Sequence, residues 1–215
     1  QLEESEMEKH PRKNELTKDQ EKELLDLKNQ QASYDKEVEV WNKNRSLDGF
    51  SKLRKMYNDA GVQIYAFKPD YLLTKRNSDA NIEYAMKAGK LLGASHVTLE
   101  LPRDTAHTLK LGKMAEKNEI KVAYHGHEQQ NPTWWDTALS QSPNNAMKID
   151  LGHYVAAGNA APLQILKDKH QHILSMHVKD RQNPENGKNN MPFGKGDTPI
   201  IEALKLMRDE KYTFA

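Results

Sequence analysis

Ile120-Lys121-Val122-Ala123-Tyr124-His125-Gly126-His127, Ala146-Met147-Lys148-Ile149-Asp150-Leu151-Gly152-His153 and Ile173-Leu174-Ser175-Met176-His177-Val178-Lys179-Asp180 follow one pattern. A short β-type run ends, and a polar motif begins with His or Asp. His125, Asp150 and His177 are separated by 25 and 27 residues, about one strand plus one helix each time. Successive βα units that end each strand in His or Asp aim imidazole and carboxylate groups at one common face. At the top of an α/β barrel those groups suit a divalent metal ion.

Reading outward, Leu47, Phe50, Leu53 and Tyr57 recur at helical spacing, with Gly61 as a stop. Val62-Gln63-Ile64-Tyr65-Ala66-Phe67 reads as a strand. Ile82, Ala85 and Met86 form the next apolar stripe, stopped at Gly93, and His96 to Leu101 follows as a strand. A helix is expected over 105–117. Thr133 and Asp136 look like the cap of a short helix containing Trp134 and Trp135. Pro162 opens a helix, and Thr198-Pro199 opens the last one. Tyr212 to Ala215 reads as the start of a sixth strand.

Strand and helix alternate without exception, which calls for a parallel sheet with right-handed crossovers. No Gly-x-Gly-x-x-Gly follows an early strand, so a dinucleotide-binding sheet is disfavoured. The expected fold is α/β, a (β/α)8 TIM barrel over residues 1–215 as one domain. The N-terminal strands and the end of the last strand are expected to lie outside the chain as given. Residues 1–45 carry 21 charged side chains and form a polar, partly helical segment, with a surface helix expected over 18–30 behind a Thr17-x-x-Gln20 capping box.

Composition excludes several classes. The chain has 215 residues, 36% hydrophobic and 29% charged, with a net charge of +1. That charge gives no bulk attraction to nucleic acid or acidic membranes. No run approaches the ~20 apolar residues of a bilayer span, and Gln1 to Glu8 does not read as a signal peptide. There is no Cys, so a metal must be held by His and carboxylate groups. Cytoplasm and periplasm both remain open. A homo-oligomer is compatible with the sequence.

His125, Asp150 and His177 are the primary candidates for metal contact. His127 shares one side of the strand end with His125. One of the pair could ligate while the other contacts substrate or orients a ligand. His153 could touch a substrate hydroxyl, support a first carboxylate ligand, or cap the following helix. Lys179 could stabilise an enolate or alkoxide oxygen, or form an ion pair with Asp150 or Asp180. Glu100, at the tip of the preceding strand, could be a ligand, a base or a hydrogen-bond acceptor at the barrel mouth. Phe193-Gly194-Lys195-Gly196-Asp197 lacks phosphate-loop spacing and reads as a mobile loop over the mouth, with Lys195 as a substrate contact. Trp134 could stack on a sugar face. His10, His107, His170 and His172 are assigned no role.

In combination, Tyr124-His-Gly-His127, Asp150-Leu-Gly-His-Tyr-Val-Ala-Ala-Gly158, His177-Val-Lys-Asp180 and Gly194-Lys-Gly-Asp197 resemble the sugar phosphate isomerase/epimerase family, the xylose isomerase-like TIM barrels. The resemblance covers roughly residues 47–215. It implies one divalent metal ion held by Glu, Asp, His and Glu. Asp150 matches the family's Asp and His177 its His. His125 falls where many members carry Glu in a Glu-Asn-His motif. One branch has His-Asn-His, and this chain is similar to it with Gly126 in place of Asn. The family's last Glu would lie just beyond Ala215.

The resemblance and the residues together lead to an expected activity: a metal-dependent isomerase or epimerase of a sugar or sugar derivative. The ion would be Zn, Mn, Co or Fe. Glu100, His153 and Lys179 would serve the chemistry, and His127, Trp134 and Lys195 the substrate. A dehydratase or lyase on the same barrel, resembling an inosose dehydratase, is the enzymatic alternative. A non-catalytic sugar-binding protein on a decayed barrel is the alternative of a different class.

Overall fold

The computed structural model describes residues 16–215, so His10 lies outside the described residues. The chain divides after Ser46 into two compact units.

The first unit contains helix α1 (Lys18–Asn44). Its capping box forms as expected, with Thr17 and Gln20 exchanging side-chain and backbone hydrogen bonds. The helix runs well past residue 30, because polar helix formers follow and no Gly or Pro interrupts until Arg45. It has no buried residue, so local propensity and pairs such as Lys43–Glu39 sustain it.

The second unit is a run of βα units. After α2 (Asp48–Asp59) come β1 (Ala66–Phe67), α3 (Asp79–Leu92), β2 (His96–Glu100), α4 (Thr105–Lys117), β3 (Lys121–His125), α5 (Asp136–Gln141) and β4 (Asn145–Asp150). Then follow α6 (Leu151–Ala156), α7 (Pro162–Lys169), β5 (Ile173–His177), β6 (Asp180–Arg181), β7 (Asn190–Met191) and α8 (Ile200–Asp209). Strands β1 to β5 form one all-parallel sheet in sequential order. This is the expected α/β barrel wall. Only Ala66 and Phe67 of the expected 62–67 strand pair with β2. Gly93, in the left-handed region at φ 83°, stops α3 as its position suggested.

Ala215 N–H donates to Leu174 O (3.3 Å) and Ala215 O accepts from Met176 N–H (2.6 Å). Two bonds from one residue to neighbours on either side of Ser175 are a parallel ladder step. Ala215 thus pairs beside Ser175 of β5, while no strand is assigned over residues 212–215.

Outward side chains bury the core against the helices. Val97, Leu99, Val122, Tyr124, Met147 and Ile149 pack with Ile82, Met86, Leu111, Ala115, Leu151 and Leu166. The alternate residues face the other way, since strand side chains alternate. There His96 Nε2 lies 3.1 Å from Ser175 Oγ, although β3 and β4 separate their strands. Three strand spacings of a flat sheet would span roughly 14 Å. The sheet is therefore strongly curled, with the strand-end polar groups on its concave side.

One local reading is corrected. Trp134 and Trp135 precede α5 instead of lying within it, and Trp135 sits at the N-cap position without a side-chain cap. Trp135 is buried and donates from Nε1 to Tyr124 O at 2.9 Å, so its indole serves the strand and not the helix. The 183–197 loop contains a 3-10 turn (Pro184–Asn186), and its Asn190–Met191 segment (β7) pairs antiparallel with β6.

Candidate functional site

Register brings the strand ends together. Glu100 is level with His125, His125 with Lys148, and Asp150 with His177. The stagger between β3 and β4 sets Asp150 two residues beyond the His125 level, as barrel shear requires. One ligand atom each from His125, Asp150 and His177 lie within 4.8 Å of one another. Glu100, His125 and His127 form a second such group, sharing His125. Ring centroids of His125 lie 4.9 Å from those of both His127 and His177, and His153 lies 4.6 Å from His127.

Burial falls from the floor to the mouth. Asp150 and His125 are buried, whereas the His177, His127 and Glu100 side chains are about two-fifths to one-half exposed. Burial alone would raise the Asp150 carboxyl. Hydrogen bonds from His177 Nδ1 (3.3 Å), the His153 N–H (2.9 Å) and Lys179 Nζ (3.0 Å) outweigh it and hold the group well below the usual carboxylate range. Burial, aided by His177, lowers His125 to about 3, so its imidazole is neutral. Its Nδ1 lies 3.4 Å from Lys148 O, which leaves Nε2 for a ligand bond. A neutral imidazole beside an ionised carboxylate is the protonation state metal binding needs. The donor set of oxygen and imidazole nitrogen, with no thiolate, fits a divalent cation.

Asp150 has two jobs. Its Oδ1 caps α6 through the His153 N–H, while Oδ2 faces His177 and Lys179. A Cβ on Gly152 would lie 2.8 Å from Lys179 O, so glycine is required there for close approach of the β5 end. Burial also lowers His153 to about 4. Arg181 Nη1 lies 2.5 Å from His153 Nδ1. A guanidinium only donates, and so does the Lys179 ammonium that faces His153 Nε2 at 2.9 Å, so a donor faces each ring nitrogen. Arg181 is itself held by Glu128 Oε1 (2.8 Å) and Lys188 O (2.5 Å).

Glu100 Oε1 is 3.6 Å from Lys68, and Oε2 is 3.3 Å from His127 Nδ1. That second approach is close enough for an ion pair but lacks hydrogen-bond alignment, so Oε2 has no hydrogen bond. Of the other expected contacts, Trp134 is half-buried and packs on Gly126, where a Cβ would meet its ring at 2.3 Å. Lys195 is exposed; its backbone N–H donates to Asp180, and among the described residues its side chain has no partner in the cluster. The Gly194–Asp197 loop is anchored. Asp180 Oδ2 accepts from the N–H groups of Gly194, Lys195 and Gly196, and Oδ1 from Thr198 N–H.

Sequence reasoning missed Arg181, Glu128, Lys68 and Lys148. Arg181 directly follows the His-Val-Lys-Asp motif, which was the available signal. The others carry no local signal, because curl and register bring them in.

No family model matches this chain, and no curated protein matches it. Solved structures do. A xylose isomerase domain protein from Planctomyces limnophilus superposes with a TM-score of 0.63 at 16% identity, over 79% of this chain and 75% of its own. A sugar phosphate isomerase/epimerase from Parabacteroides distasonis gives 0.55 at 18%, over 74% and 66%. A xylose isomerase-like TIM barrel protein from Mycobacterium smegmatis, in complex with magnesium, gives 0.55 at 15%, over 75% and 67%. The chain thus spans two-thirds to three-quarters of these barrels and shares their fold.

Proposed function

We propose that this chain is a divalent-metal-dependent isomerase or epimerase acting on a sugar or sugar derivative. The observation that carries the reading is the convergence of His125, Asp150 and His177 from three successive strands, with their ligand atoms within 4.8 Å. The fold shared with xylose isomerase-like barrels supports it. His125, Asp150 and His177 would hold the ion, with His127 or Glu100 adjoining. A magnesium complex is recorded for one fold neighbour. The imidazole-rich set here favours Mn, Zn, Co or Fe.

Bound there, the ion would supply a Lewis acid to neighbouring carbonyl and hydroxyl oxygens. The chain's own residues would do the rest. Glu100 would take the proton from the carbon next to the carbonyl through Oε2, the oxygen that lacks a hydrogen bond. His153, held between Arg181 and Lys179, would touch a substrate hydroxyl. The Lys179 ammonium would stabilise negative charge on that oxygen. Returning the proton to the neighbouring carbon isomerises the sugar, and returning it to the opposite face epimerises it. Loss of a β-hydroxyl instead would make the protein a dehydratase, since proton abstraction is common to all three. Trp134 and Lys195 remain proposed substrate contacts at the mouth.

The test is metal analysis followed by incubation with a sugar and keto-sugar panel in deuterated water. Stoichiometric metal with solvent deuterium in recovered sugar supports the reading. An absence of both would favour a non-catalytic sugar-binding protein.

A further inference from the structure

A cavity of about 590 Å³ opens beside Glu100 and has no part in the proposed reaction. Its walls are two loops at the C-terminal ends of neighbouring strands. One is the β1–α3 connection, with the 3-10 turn Asp70–Leu73 followed by Thr74 and Lys75. The other is the β2–α4 connection, from Leu101 to Asp104. Barrels of this kind bind their ligands at that end of the strands. The volume falls within the ~300–1,000 Å³ of small-molecule sites.

The walls are fixed. His107 is buried, and its Nε2–H donates to Leu73 O at 2.8 Å, which joins the start of α4 to the β1–α3 loop. Leu101 N–H donates to His125 O at 3.0 Å, so the second loop is tied to the strand end that carries a candidate metal ligand. Asp104 Oδ1 accepts from Ala106 N–H (3.1 Å), and Oδ2 lies 3.6 Å from Lys75 on the opposite loop. Glu100 belongs both to this lining and to the group it forms with His125 and His127. The cavity therefore adjoins the candidate metal centre, and a ligand on the metal can extend into it.

The lining selects what fits. Tyr71, Leu101 and Pro102 give it apolar surface. Tyr71 is 69% exposed, so its ring contributes little to the core. The charges cancel: Asp70, Glu100 and Asp104 stand against Lys75 and Arg103, with Lys68 3.6 Å from both Asp70 and Glu100. An anionic group would meet as many carboxylates as cations. A wholly apolar group would strip water from those charges without replacing its hydrogen bonds. A pyranose ring meets both demands, with C–H groups on its face for Tyr71 and hydroxyls around its rim for Thr74 and the charged groups.

We propose that this cavity receives the second ring of a disaccharide whose reducing-end ring lies at the metal. The substrate is then a reducing disaccharide in place of a free monosaccharide. Its reducing end keeps the carbonyl that isomerisation or epimerisation needs, and the glycosidic bond stays intact. The inference rests on the metal-dependent sugar reading above and names its substrate class.

The test is titration calorimetry on the full chain, with and without Mn²⁺. Cellobiose, lactose and maltose are compared with D-glucose, the reducing-end sugar of all three. On the Mn²⁺-loaded chain at least one disaccharide should bind about tenfold or more tightly than glucose, the contribution of one aromatic anchor. In Tyr71→Ala that preference should fall to within about twofold, with glucose and Mn²⁺ affinities unchanged, whereas Tyr71→Phe should keep it; Tyr71→Gln serves if the Ala variant does not fold. Equal binding of glucose and all three disaccharides, or binding of none, overturns the inference. A preference that survives in Tyr71→Ala also overturns it. If Mn²⁺ does not bind stoichiometrically but a Tyr71-dependent preference is present without it, the metal reading falls and the disaccharide subsite stands.

Discussion

Replacing Asp180 with Ala should unlatch the Gly194–Asp197 loop and destabilise the whole domain. The carboxylate is buried and accepts four backbone hydrogen bonds, from Gly194 (2.7 Å), Lys195 (3.0 Å), Gly196 (2.9 Å) and Thr198 (3.3 Å). A hydrogen bond to a charged group contributes about 1.5–3 kcal/mol. The sum is not additive, because the donors share one carboxylate. Gly194 and Lys195 are also exposed, so water can recover their N–H groups, whereas Thr198 is buried. The expected loss is about 2–4 kcal/mol. Urea unfolding, followed by tryptophan fluorescence, should show the midpoint falling by about 1 M or more at unchanged slope. Hydrogen exchange at residues 194–198 should lose its protection. Asp180→Asn keeps the shape and one carbonyl acceptor but loses the charge, so about half the effect should remain. A loss below about 0.5 kcal/mol for the Ala variant, the size of an ordinary surface substitution, would refute the latch and restore the mobile-loop reading.

Other expectations follow from the same geometry. His177→Ala should abolish stoichiometric metal binding, measured by elemental analysis; full occupancy would remove His177 from the ligand set. Gly126→Ala should cost about 1–3 kcal/mol by overpacking against Trp134 and Gln130, and Trp134→Ala should relieve most of it in a double-mutant cycle; additive losses would exclude the clash. His96 and His153 are lowered to about 4 and His125 to about 3, each chiefly by burial. Below pH 6.5 the unfolded chain therefore binds protons that the folded chain refuses. Stability should be full above pH 6.5 and fall as pH drops toward 4, by up to about 1.4 kcal/mol per pH unit for each histidine. A melting temperature that stays flat from pH 7 to 5 in chelator would contradict this burial.

How far the sequence was legible follows from how local each signal is. β2 to β5 were readable because strands covered on both faces show continuous β-type runs. Residues 62–65 have the same composition, yet they do not pair with β2, since pairing depends on a partner and not on propensity. The α1 helix outran its expected end because it lacks an apolar face to mark where it stops being useful. The anchoring of the Gly194–Asp197 loop was not legible because glycine and polar residues look the same whether or not a buried carboxylate holds their N–H groups. Trp135 was misassigned because a strand carbonyl claims its indole N–H.

From the amino-acid order alone came the alternation of strand and helix and the identity of the residues ending each strand. Both are carried by periodicity and by short motifs, which act within a few residues of themselves. Tertiary structure decided everything that depends on curl and stagger: that His125 is level with Lys148 and Asp150 with His177, and that Arg181 reaches His153. Those facts join residues on different strands and loops. They are set by how the sheet bends to bury its outer face against the helices, which no single stretch of the chain encodes.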